Sequence, residues 1–177
     1  MVVKNQPIWC KFNPKYYHKD PRYAKIIDFY LWSCPVEKTA YGAKTFKDLG
    51  WSGGHQFKAL KKLLLSSSDE KIPFVSVKKN NLIETLNQYN QTTSCSLSEV
   101  IIIVNPNQEM RALFRAIRNS LAHGSFKLRK KNKTDDYYYY FFENRSSNNN
   151  EICARIVLKS STLCSWIKIV QSGYSST

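Results

Sequence analysis

Apolar residues recur mostly every three or four positions along this chain, the spacing of amphipathic helices, and alternate only late in it. An aromatic, basic opening broken by Pro7 and Pro14 reads as extended coil over residues 1–20. Asp20 then offers an N-cap with Pro21 in the first helical position. Ala24, Ile27, Tyr30, Leu31 and Cys34 follow at helical spacing until Pro35 ends the run. A second helix is predicted over Gly54 to Ser66. Phe57, Leu60, Leu64 and Leu65 make its apolar stripe, with Lys58, Lys61 and Lys62 outside it. A third, polar helix covers Lys79 to Asn90 through Leu82, Ile83, Leu86 and Tyr89. The run Val100 to Val104 fits a strand by its β-branching, or a short buried helix capped by Ser96 or Ser98.

The clearest start signal follows. Asn105 can cap, Pro106 fits the first helical position, and Gln108 stands where a capping box wants Glu or Gln. Met110, Leu113, Phe114, Ile117 and Leu121 then recur every three or four residues, and Gly124 is a stop just beyond His123. After a basic loop (Lys127, Arg129, Lys130, Lys131, Lys133) the composition turns to that of strands. Asp136 to Glu143 and Ile152 to Lys159 are predicted as a hairpin across the turn-rich Asn144 to Asn150. A last helix, about Ser161 to Gln171, carries Leu163, Trp166, Ile167 and Val170 and stops at Gly173. The pattern predicts one domain over residues 1–177, mainly α-helical, with a late β-hairpin at 136–159.

Charge sharpens this picture. Twenty-seven Lys and Arg oppose thirteen Asp and Glu, a net charge of +14, which attracts polyanions: nucleic acid first, anionic membrane second. Five cysteines (Cys10, Cys34, Cys95, Cys153, Cys164) lie far apart, none in CxxC spacing, and His18, His55 and His123 form no ligand cluster. They read as reduced thiols of a cytoplasmic protein without a metal site or cofactor. The longest apolar run, Val100 to Val104, is five residues, too short to cross a bilayer. The opening residues Met1 to Pro7 lack the apolar stretch of a signal peptide. No phosphate loop, dinucleotide fingerprint, serine nucleophile elbow or paired-carboxylate motif is present; His55 in Gly53-Gly54-His55-Gln56 reads as a helix entry.

The helix from Asn105 to His123 holds the candidate chemistry. Each residue advances by roughly 100° around the axis, so Arg111, Arg115 and Arg118 form a stripe beside the apolar face. Asn119 and His123, four apart, stand together on the far side. Such residues are also common on any solvated helix face, and histidine near a helix C-terminus favours the dipole.

The segment Ile117-Arg118-Asn119-Ser120-Leu121-Ala122-His123-Gly124 resembles the signature of the HEPN superfamily: Arg, favourably followed by Asn, then His a few residues on. The resemblance is strong over about twenty residues. It implies a HEPN-like helical bundle, to which the hairpin would be an insertion, and a homodimer whose two motifs face each other across a composite cleft. It further implies metal-independent endoribonuclease activity in a toxin or phage-defence role. The 2′-hydroxyl would attack the neighbouring phosphate and leave a 2′,3′-cyclic phosphate and a 5′-hydroxyl end. His123 would act as general acid or base, Arg118 would hold the phosphate, and Asn119 would orient His123 or bond to the phosphate. Arg111, Arg115, Lys127, Arg129, Lys130 and Lys131 are the expected RNA-binding residues. A solvated loop explains Lys127 to Lys133 equally well. Members silenced by nucleotidyl transfer carry a Tyr two residues after the motif His, and Ser125 stands there. An antitoxin or other regulatory protein, an activating ligand or a larger complex would each serve to restrain such a nuclease. The rival reading is a non-catalytic HEPN-like module that binds RNA or a protein; a basic structural protein with a chance motif ranks third. The run Tyr137 to Phe142 offers rings for base stacking, but an alternating strand turns half of them to the core or a partner, the reading we favour.

Overall fold

The computed structural model describes residues 19–36, 43–92, 96–104 and 107–175. The extended coil expected over 1–20 therefore lies almost wholly outside the described residues, as do Cys10, His18, Cys95, Asn105 and Pro106.

The mainly-α expectation is overturned: this is an α/β fold built on a five-stranded mixed sheet, not a helical bundle. Among the described residues five strands are ordered β1-β2-β5-β4-β3: β1 (Phe74–Val77), β2 (Val100–Val104), β3 (Phe126–Arg129), β4 (Tyr139–Arg145) and β5 (Ile152–Lys159). β1 runs parallel to β2, and every other pairing is antiparallel. The predicted hairpin is the pair β4–β5, but it forms the middle of the sheet and is no insertion. The run Val100–Val104 is a strand. Flanked by β1 and β5, it has its first four residues buried, so it shows no alternation.

Among the described residues five helices complete the fold: α1 (Tyr23–Ile27), α2 (Gly54–Ser66), α3 (Leu82–Gln88), α4 (Glu109–Ala122) and α5 (Ser160–Ser172). α1 continues into a π-helical segment, Asp28–Ser33, and α3 is preceded by a 3₁₀ turn, Lys79–Asn81. Asp20 anchors the entry to α1 through its carboxylate, which accepts from the Arg22 N–H (3.1 Å) and the Tyr140 hydroxyl (2.8 Å).

Strand alternation divides the core in two. Tyr138, Tyr140, Phe142, Ala154, Ile156 and Leu158 face one side, where α1, α2, α4 and α5 pack. Tyr139, Phe141 and Val157 face the other, covered by Leu82 and Leu86 of α3. The aromatic run thus serves both faces: Tyr138 to Phe142 are all buried, so their rings are core and not a stacking platform. Glu143 and Arg155 sit opposite each other in the β4–β5 register on the α3 side, fully enclosed. Nε and Nη2 of Arg155 both reach Glu143 Oε2 at 2.9 Å, and Nη1 donates to the carbonyls of Gln91 and Thr92. Arg145 Nε closes the network on Glu143 Oε1 at 2.7 Å.

Candidate functional site

α4 carries the three motif residues, and its amphipathic pattern fixes how they stand. Met110, Leu113, Phe114, Ala116, Ile117, Ser120 and Leu121 are buried against β4 and the π-helical segment. Arg111, Arg118 and Asn119 are half-buried along the flank, while Arg115 and His123 are exposed.

Arg118 Nη1 donates to Asn119 Oδ1 at 3.3 Å. Its Nε is buried and, among the described residues, has no hydrogen-bond acceptor. The guanidinium lies close enough to Cys34 for its charge to lower that thiol's pKa. Burial outweighs this and pushes Cys34 up to about 12, leaving a neutral thiol, not a nucleophile, at physiological pH. Cys34 stands where the π-helical segment ends, and its Sγ lies 3.9 Å from the Phe114 carbonyl oxygen. In the sequence Cys34 stands out only as the last apolar position of its helix. Its contact with α4 spans eighty residues and has no local signal.

His123 is the C-terminal cap of α4. Its N–H donates to the Asn119 carbonyl at 2.9 Å. Gly124 follows in the left-handed conformation (φ +64°). Its N–H bonds to the Leu121 carbonyl at 3.2 Å, and the Ser125 N–H to the Ser120 carbonyl at 2.8 Å. This pair of bonds with a left-handed glycine is the usual way to satisfy the last carbonyls of a helix. It makes the expected stop real and turns the chain directly into β3, leaving the His123 imidazole at an exposed corner. A side chain at Gly124 would be forced into left-handed backbone, so Gly124→Ala is expected to destabilise the fold by about 1–2 kcal/mol. The shift of the urea-unfolding midpoint measures this.

The remaining candidates do not converge. In β3, Phe126 and Leu128 turn inward to the α4 side, so Lys127 and Arg129 turn to the opposite face of the sheet. Their register partners there are Phe141 and Tyr139, and Lys127 Nζ stands 5.8 Å from the Phe141 ring centroid. Lys130 is drawn back to the Asp135 carbonyl and over the Tyr138 ring, and Lys131 is an exposed turn residue. Arg111 and Arg115 remain with Arg118 on α4. His55 is exposed in the first turn of α2, as a helix entry requires.

Comparison with known proteins finds no matching family model, no matching curated protein and no matching solved structure. Among the described residues, no three His, Cys, Asp or Glu side chains gather as a metal-ligand group, and no helix is long and apolar enough to cross a membrane.

Proposed function

We propose that this chain is a metal-independent endoribonuclease of the cytoplasm whose site is Arg118, Asn119 and His123. The observation that carries the reading is their disposition on α4. A half-buried guanidinium with an unmatched Nε donor is tied to an amide, and an exposed imidazole stands one turn beyond that amide. A phosphate oxygen is the acceptor such a donor suits, through a charge-assisted bond. The net charge of +14 draws the polyanion to it.

In the reaction the 2′-oxygen forms a bond to the adjacent phosphorus and the bond from phosphorus to the 5′-oxygen breaks. One proton leaves the 2′-hydroxyl and one is delivered to the departing oxygen. His123 performs one of these transfers. A second copy of the chain, bringing its own His123 across a shared cleft, supplies the other. Arg118 holds the phosphate and stabilises the charge that builds on it. Because Asn119 Oδ1 accepts from Arg118, its role is to position the guanidinium and offer its own N–H₂ to the phosphate. Orienting His123 is the lesser part. A toxin or antiviral role fits an RNA-cutting activity that a regulatory protein restrains.

A second reading, an RNA-binding module without catalysis, is favoured by the exposed His123 ring, which no hydrogen bond among the described residues orients. The two differ in products. In excess EDTA the wild type is expected to cut single-stranded RNA to 2′,3′-cyclic phosphate and 5′-hydroxyl ends, read by mass spectrometry, and to leave the all-deoxy strand whole. RNA that is bound but intact selects the second reading.

A further inference from the structure

α4 has a second functional feature at the end away from His123. A cavity of about 430 Å³ lies where α2 and α4 begin, with Phe57, Lys58, Lys61, Glu109 and Arg111 in its lining. A smaller one of about 170 Å³ is lined by Val36, Phe46, Lys47, Arg111 and Arg115. Arg111 lines both, so the two cavities lie side by side along the flank of α4, and we refer to them together as the trough. Its described lining holds five cations (Lys47, Lys58, Lys61, Arg111, Arg115) against one carboxylate, Glu109, which pairs with Lys61 at 2.7 Å. The trough is concave and partly aromatic: Phe57 and Phe46 belong to its lining, and the Arg111 guanidinium lies 5.6 Å from the Phe57 ring centroid. That distinguishes it from a solvated basic face. From Arg111 the stripe advances through Arg115 to Arg118, roughly 10 Å at 1.5 Å per residue, and His123 stands beyond its end, turned to another side of the helix.

We propose that this trough holds the sugar–phosphate backbone of single-stranded RNA, with the cavity between α2 and α4 as the anchoring subsite for one nucleotide unit. The volume suits a single small ligand unit, and a basic groove interleaved with aromatic rings is how single strands are tracked. The path of the strand toward His123 rests on the ribonuclease reading; its binding in the trough does not. Lys127 and Arg129, on the other face of the sheet, take no part.

The test compares two charge-matched pairs of substitutions at mostly exposed positions. Lys47→Glu/Lys58→Glu alters the trough, and Lys127→Glu/Arg129→Glu alters the opposite face. Anisotropy of a labelled, uncleavable 2′-O-methyl 12-mer between 50 and 200 mM salt reads affinity and salt slope. The trough pair is expected to weaken binding at least tenfold and to flatten the slope by about 1.4, the value for two lost single-strand phosphate contacts. The opposite pair should stay within twofold of wild type. Equal losses in both pairs, or no binding by the wild type, overturn the trough. If the wild type binds through the trough but never cuts RNA, the trough stands and the ribonuclease reading falls. If it cuts while the trough pair binds and cuts as wild type, the reverse holds.

Discussion

Replacing His123 by alanine is expected to slow RNA cleavage by a factor on the order of 10² to 10⁴ while leaving the fold intact. The magnitude follows from the loss of a proton-transfer group whose place no nearby side chain takes. Among the described residues no hydrogen bond or ion pair engages the His123 ring, and the residue is exposed beyond the last turn of α4. Its backbone N–H, which alanine keeps, makes the bond to the Asn119 carbonyl. The unfolding free energy should therefore change by no more than about 0.5 kcal/mol, the usual range for surface positions. Arg118→Ala carries a different signature. It removes the group that holds phosphate, and it also leaves Asn119 without its partner and empties the half-buried place of the guanidinium on the flank of α4. Weaker substrate binding should accompany the slower reaction there, and a measurable loss of stability as well.

The largest effect on stability is expected at Glu143, whose side chain is enclosed on the α3 side of the sheet. Glu143→Ala leaves the Arg155 guanidinium, 1% exposed, without the carboxylate that both its Nε and Nη2 reach. Breaking such a buried pair costs about 3–5 kcal/mol, a large part of the roughly 5–15 kcal/mol that holds a typical domain. Arg145→Ala, on the same carboxylate, should cost much less, because Arg155 still neutralises it. Replacing Glu143 and Arg155 together by methionine should be less damaging than Glu143→Ala, since no buried charge is stranded. The carbonyls of Gln91 and Thr92 that lose Arg155 Nη1 set the remaining cost. Urea unfolding of the four proteins ranks these costs directly.

Much of α4 is legible in the sequence, because both its signals are local. The apolar residues from Met110 to Leu121 repeat at helical spacing, and Gly124 stops the helix in the left-handed turn that favours glycine. The β4–β5 pairing is legible too, as two β-rich runs joined by a short turn. The sheet around it is not. Val100–Val104 is buried without alternation, and a run of that kind does not distinguish strand from helix. Its partners lie about fifty residues downstream in β5 and more than twenty upstream in β1, with no local mark of either pairing. β1 and β3 are only four residues long.

One signal is available for β3. Phe126-Lys127-Leu128-Arg129 alternates apolar and basic, which places Lys127 and Arg129 on one side of a strand and does not make them part of a loop. That alternation separates them from Arg111 and Arg115, with which charge alone groups them. The trough between α2 and α4 leaves no trace of its own in the sequence, since its cations come from segments up to about seventy residues apart.

The most direct test of the central claim is single-turnover cleavage of one end-labelled, single-stranded RNA in excess EDTA by the wild type and by His123→Ala, purified identically. The account predicts cyclic-phosphate products from the wild type, a rate at least a hundredfold lower for the variant, and equal unfolding midpoints. Equal cleavage by the two proteins, or cleavage of the all-deoxy strand by either, would contradict it.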